Sequence, residues 1–147
     1  MEKYFEIGIY QPKRYHNIGT LWRSSLQLGA NAVFTIGRRY KYQTSDTFRT
    51  GDNIPQKYYL TFQDFLNDRD PDIPLIGIEM GGTVLSQFEH PARAIYLLGA
   101  EDNGLPDFVL EKCDRLVSLE AVKQPSYNVA VTGSIVLYHR QFLSSHS

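Results

Sequence analysis

Three short polar stretches interrupt apolar runs in this chain, and each can present main-chain groups to a ligand. They read "EMGGT" at 79–83, "GAEDNGLP" at 99–106 and "EAVKQPSYN" at 120–128. Gly81, Gly82, Gly99 and Gly104 permit close approach of backbone to a ligand, or positive φ. Three such loops supply several N–H and C=O groups, which suits a nucleoside-like ligand. A fourth stretch, "GRRYKY" at 37–42, interleaves Arg38, Arg39 and Lys41 with Tyr40 and Tyr42. That pattern joins phosphate contact to base stacking. Arg14, with Lys13 in "PKR", lies just before Asn17 and is expected to join the same basic surface.

Other chemistries find no support. No Walker-type phosphate loop occurs, and no G-x-G-x-x-G follows the first strand-like segment, so an ordinary dinucleotide site is not expected. His16, His90, His139 and His146 are scattered without metal-ligand spacing, and no metal site is expected. The single cysteine, Cys113, has no activating partner nearby and reads as a structural thiol.

The elements that must carry these loops alternate in type. "YFEIGIY" (4–10) reads as a strand, followed by a helix opening at Asn17 as N-cap, with Ile18, Leu21, Trp22 and Ser25 on one face and Gly29 as the stop. A strand "AVFTIG" and a long polar loop over 38–55 come next. A helix starts at Thr61, with Asp64 three residues on. Strands "PLIGIE", "AIYLLG" and "RLVSL" follow, with a short helix after Pro106 and a last helix from Tyr127 to about Leu143. Near-continuous apolar strands separated by helices imply an α/β fold with a parallel sheet covered on both faces. Ligands of such sheets sit at the carboxyl ends of the strands, where the three polar loops fall.

Composition sets the outer bounds. The chain has 147 residues, 42% hydrophobic and 21% charged, with a formal net charge of −1, and is read as one globular domain over 1–147. No apolar run approaches the roughly 20 residues that cross a bilayer. One cysteine excludes an internal disulfide, and a cytoplasmic setting without membrane contact is expected. The last helix, "YNVAVTGSIVLYHRQFL", spreads Val129, Val131, Ile135, Val136, Leu137, Tyr138 and Phe142 beyond one stripe, so it is expected to pack on its own sheet and on a second subunit, with Trp22 and Leu26 adding to that surface.

In three places the chain resembles the SpoU-type RNA 2'-O-ribose methyltransferases of the SPOUT superfamily. The family's Asn-x-Gly-x-x-x-Arg stands as "NIGTLWR" (Asn17, Gly19, Arg23). Its Gly-x-Glu with Gly-Leu-Pro stands as "GAEDNGLP" (Gly99, Glu101, Gly104, Leu105, Pro106). Its Ser-Leu-Asn-Val stands as "SYNV" (Ser126, Asn128, Val129). Their order and separation cover nearly the whole chain. Tyr127 replaces the usual leucine, and "SLEAV" stands where Ile-Pro-Met is common.

The resemblance implies a sheet whose last third is tucked into a deep trefoil knot. It implies S-adenosylmethionine held by Ile78, Glu79, Gly99, Gly104, Leu119, Ser126 and Asn128, and a catalytic group of Arg23, Asn17, Glu101, Ser126 and Asn128. Arg23 is expected to act with an RNA phosphate; Glu101 is expected to orient Arg23 or Asn17. Arg14, Arg38, Arg39 and Lys41 are the expected RNA contacts, a homodimer the expected assembly and transfer RNA the expected substrate. Ribosomal RNA, a base nitrogen as methyl acceptor, and a knotted RNA-binding module without activity stay open as alternatives.

Overall fold

A computed structural model describes residues 2–42, 44, 49–100, 104–124 and 127–143. Its elements run β1 (Tyr4–Tyr10), α1 (Tyr15–Gln27), β2 (Ala32–Ile36), β3 (Gln56–Tyr59), α2 (Phe62–Asp68), β4 (Leu75–Val84), β5 (Arg93–Leu98), α3 (Asp107–Leu110), β6 (Arg115–Ser118) and α4 (Val129–Tyr138). The six strands form one sheet in the order β3-β2-β1-β5-β4-β6, with every pairing parallel.

The side-chain period of two divides each strand between two cores. Ile7, Ile9, Val33, Ile78, Tyr96 and Leu98 join Leu21, Trp22, Val136 and Leu137 beneath α1 and α4. Phe34, Ile36, Leu75, Ile95 and Leu97 join Phe62, Phe65 and Val109 beneath α2 and α3. Gly8 is demanded by the second core: a Cβ there would stand 2.2 Å from the Phe34 ring. The expected doubly covered parallel sheet is therefore present.

Several local expectations meet their geometry. Thr61 caps α2 through its hydroxyl, which accepts the Asp64 N–H at 3.1 Å. Gly29 ends α1 at φ +93°. Others are corrected. Asn17 is not the cap of α1; Arg14 holds that position, and Asn17 lies in the first turn, 5% exposed. "EMGGT" is not a loop but the far half of β4, where the register against β6 slips between Ile78 and Thr83. β3 lies between the expected loop over 38–55 and the helix start at Thr61, where no element was expected; "QKYY" is too short and too polar to read as a strand, and pairing with β2 forms it. Trp22 is fully buried core, so it contributes nothing to an outer surface.

α4 is apolar on two faces. Val129, Ala130, Gly133, Val136 and Leu137 are buried, while Val131, Ile135 and Tyr138 are exposed and the helix passes into a π-helical turn over His139–Leu143. Arg140 anchors that turn. It is fully buried, donates to the Pro91 and Ala92 carbonyls at 2.7 Å each and to the Tyr96 hydroxyl at 3.1 Å, and lies over the Phe5 ring. His90 continues the network from Tyr96 (2.6 Å) to His139 (2.9 Å), which ties the start of the π turn to β5. Burial pushes the Tyr96 phenol up to about 12.

Candidate functional site

Three neighbouring strands meet at one end of the sheet. Ile78 pairs with Leu98 on one side and Val117 on the other, so Glu79 within β4 lies level with Gly99 just beyond β5 and with the end of β6 that leads to Leu119. Backbone crowds backbone there. A Cβ on Gly99 would stand 2.3 Å from the Gly104 carbonyl carbon, and one on Gly82 2.6 Å from that of Leu116. Both positions exclude any side chain, for reasons of space. The Ser118 hydroxyl donates to the Gly82 carbonyl at 3.0 Å, tying the two chains where they touch.

Glu79 braces the loop after β5. One carboxylate oxygen accepts the Leu105 N–H at 2.6 Å and the other the Met80 N–H at 3.0 Å. Gly104, at φ +64°, leaves room for that carboxylate; a Cβ would sit 2.3 Å from it. On the far side, the Tyr127 hydroxyl donates to the Glu120 carbonyl at 2.7 Å, and Ser86 hydrogen-bonds the Glu120 carboxylate, which lowers its pKa below the ordinary glutamate value. Tyr127 thus braces the loop after β6.

The first and third motifs meet directly. The Asn128 side-chain nitrogen donates to the Asn17 side-chain oxygen at 3.0 Å across 111 residues of sequence. The Asn128 oxygen meanwhile accepts the N–H groups of Ala130 at 2.8 Å and Val131 at 3.2 Å, capping α4. One amide therefore sets the start of α4 and fixes the buried first turn of α1. Arg23 lies less than two turns further along α1 on its exposed side. Glu101 and Ser126 lie outside the described residues.

The basic residues group around the ends of β1 and β2. Arg38 lies 4.3 Å over the Tyr15 ring and donates to the Lys13 carbonyl at 2.5 Å; Arg39 lies 4.5 Å over Tyr58. Arg14 and Lys41 are exposed. Tyr40 is core, packed against Trp22 and Tyr15, whereas Tyr42 is exposed and carries the Arg49 guanidinium over its ring at 4.8 Å. Between this group and the loop after β5 opens a crevice of about 470 Å³, lined by Tyr10, Gln11, Lys13, Arg38, Gly104 and Pro106 among others. Gln11 was not among the residues expected from sequence. It is one of two described non-glycine residues with positive φ, at 51°, a property no motif announces.

Cys113 is half-buried and its thiol donates to the Val109 carbonyl at 3.5 Å; burial pushes its pKa up to about 11, the opposite of an activated nucleophile. Among the described residues no three or more His, Cys, Asp or Glu side chains group as metal ligands, and no helix is long and apolar enough to cross a membrane.

The model of the SpoU rRNA Methylase family matches residues 4–138. An uncharacterized tRNA/rRNA methyltransferase of Mycolicibacterium gilvum is 28% identical over 128 residues, covering 82% of this chain and 41% of its own length. The SpoU methyltransferase AviRb from Streptomyces viridochromogenes, solved in complex with the cofactor AdoMet, superposes with a TM-score of 0.82 at 23% identity, over 95% of this chain and 60% of that one. A structure solved to explain the 2-OH methylation of C/U34 on tRNA gives a TM-score of 0.78 at 22% identity, over 94% of both chains. The chain thus spans less than two thirds of the Mycolicibacterium relative and of AviRb, and nearly all of the third.

Proposed function

Because this chain belongs to the SpoU rRNA Methylase family, we propose that it is an S-adenosylmethionine-dependent RNA methyltransferase acting on a ribose 2'-hydroxyl, with transfer RNA as its substrate. The observation that carries the reading is the hydrogen bond between Asn17 and Asn128. It joins the motif that holds Arg23 to the motif that starts α4.

The residues present fit the cofactor. Gly99 and Gly82 leave main chain bare where a Cβ has no room, Ile78 and Leu119 give apolar contact, and Glu79 holds the Gly104–Leu105 turn in place. When bound, S-adenosylmethionine supplies a methyl group on a sulfonium, already activated for transfer. The protein must then orient the ribose hydroxyl in line, exclude water and see its proton leave. Arg23 carries a permanent positive charge and does not act as a base alone. Its role is to hold the RNA phosphate and to favour the alkoxide that develops as the proton departs. Asn17 and Asn128 fix the helix that presents it, and Glu101 and Ser126 complete the group. Arg14, Arg38, Arg39 and Lys41 take the RNA backbone.

The reading includes a single catalytic unit over 1–147 whose last third is knotted. The likeness to a SpoU methyltransferase structure over 95% of this chain supports that reading. It also includes a homodimer, supported by the exposed apolar face of α4 and its π turn. A cytoplasmic setting follows from the substrate. The likeness to a structure solved to explain methylation on tRNA favours transfer RNA over ribosomal RNA.

The test is to incubate the protein with isotope-labelled S-adenosylmethionine and, separately, transfer and ribosomal RNA, then digest to nucleosides and identify the product by mass spectrometry. A 2'-O-methyl nucleoside from transfer RNA is expected. Arg23→Ala should keep cofactor affinity and lose about a hundredfold or more in turnover, as expected for removal of transition-state electrostatics. A base-methylated product, or full turnover in Arg23→Ala, would sink the assignment.

A further inference from the structure

We propose that the crevice at the carboxyl ends of β1, β2 and β5 takes the base of the nucleotide being methylated, and that the Gln11 side-chain amide reads its hydrogen-bonding edge. This rests on the RNA-methylation reading and goes beyond it by naming a residue that sets base preference.

Gln11 follows β1 directly and its backbone sits at φ 51°, a conformation that is strained for a glutamine. The strain is held by the fold: the Gln11 N–H donates to the Ile36 carbonyl at 2.8 Å, and the Gly37 N–H to the Tyr59 carbonyl at 2.8 Å. The effect is to lay the side-chain amide over Gly37. A Cβ on Gly37 would stand 2.3 Å from the amide nitrogen and 2.7 Å from its oxygen, and Gly37 is itself at φ +91°. Two unusual backbone positions on adjacent strands thus cooperate to put one neutral amide on the wall of the crevice. Among the described residues that amide shows no side-chain hydrogen bond, so its donor and its acceptor both remain for a ligand.

The remaining walls suit a nucleotide. Tyr10 and Pro106 give flat apolar surface. Arg38, fixed by the Lys13 carbonyl and the Tyr15 ring, stands at the rim with Lys13. A cavity of about 470 Å³ has room for one nucleoside. An amide offers donor and acceptor together, which matches the edge of an unstacked base, whereas the two cations suit its phosphate.

The test uses the full chain, S-adenosylmethionine and four short RNAs that differ only in the base at the methylated position. Wild type, Gln11→Gly and Gln11→Asn are compared; glycine relieves the strain, and asparagine tolerates positive φ while keeping a shorter amide. Wild type should prefer one base by about tenfold or more in kcat/KM, the scale of one good amide–base pair. Gln11→Gly should bring the four substrates within about threefold, Gln11→Asn should recover part of the preference, and melting temperature and cofactor affinity should hold in both. An unchanged preference in Gln11→Gly, with methylation intact, overturns the proposal alone. A tenfold loss of cofactor affinity in that variant also overturns it, because the crevice would then serve the cofactor. Competition by free nucleoside monophosphates that Gln11→Gly abolishes, without change in RNA preference, assigns the crevice to a free nucleotide and overturns it too. Absence of methylation on any RNA, by wild type, overturns the parent reading and this one with it.

Discussion

Replacing Asn128 separates two jobs that one side chain performs. Its oxygen caps α4, and its nitrogen donates to Asn17. Asn128→Ser keeps an oxygen that can cap but is too short to reach Asn17; Asn128→Ala removes both. Loss of a cap costs typically ~1 kcal/mol. Loss of the bridge leaves an acceptor on Asn17, which is only 5% exposed, and water cannot replace the donor freely. An orphaned buried acceptor costs about 1–3 kcal/mol, and the lower end applies because Asn17 has other interactions. The alanine variant should therefore lose about 2–3 kcal/mol in urea denaturation, and the serine variant about 1 kcal/mol. For a chain of this size the alanine loss lowers the melting temperature by roughly 5–10 °C. A double-mutant cycle with Asn17→Ala should show about 0.5–1.5 kcal/mol of coupling. Coupling within ~0.3 kcal/mol of zero would mean that the two motifs do not touch, and the argument that α1 is positioned by α4 would fail.

Gly99→Ala should not yield a stable folded protein at 37 °C, since its Cβ would meet Gly104 main chain at 2.3 Å; a melting temperature within 3 °C of wild type, roughly the effect of 1 kcal/mol, would refute the crowding. Cys113 should react slowly with iodoacetamide at neutral pH and speed up only toward its folded pKa of about 11. Because that value is raised above the ordinary thiol value, the folded state keeps the proton longer, so the contribution to stability declines as pH rises from about 9 to about 11; rising stability across that window would contradict the sign. Light scattering should give twice the 16.9 kDa chain mass at micromolar concentration, and Ile135→Glu, on the exposed face of α4, should halve it. A monomeric wild type would remove the homodimer.

How far the fold could be read from sequence depended on whether local chemistry or tertiary contact decided each element. β1, β2 and β5 show as apolar runs bounded by turns, because strands buried on both faces need no alternation. β3 did not show, since Gln56 and Lys57 have little reason to be extended without β2 alongside. Asn17 has the chemistry of a cap; it sits instead inside the first turn of α1, where Asn128, 111 residues away, supplies a partner. No local window contains that fact. Arg38 and Arg39 lie where the basic stretch placed them, but Tyr40 turns inward onto Trp22, and nothing in an alternating Arg-Tyr pattern says which ring is core. The strain at Gln11 was equally hidden, as it arises from two strand ends meeting.

The way this edge is built decides what mutations there can report. Gly77, Gly82, Gly99 and Gly104 would place a Cβ between 2.3 and 2.8 Å from a neighbouring atom, and for Gly82 and Gly99 that neighbour is main chain. Substitutions at these positions act on the fold before they act on any ligand, so lost activity at them cannot be assigned to chemistry. Arg23 is the reverse case. It is exposed and lies outside the buried face of its helix, which Asn17, Ile18, Gly19, Leu21, Trp22 and Ser25 form. A surface change of that kind moves stability by no more than about 0.5 kcal/mol. Activity lost at Arg23 with the melting temperature unchanged is therefore evidence about the reaction, and no glycine of the loops can supply the same evidence.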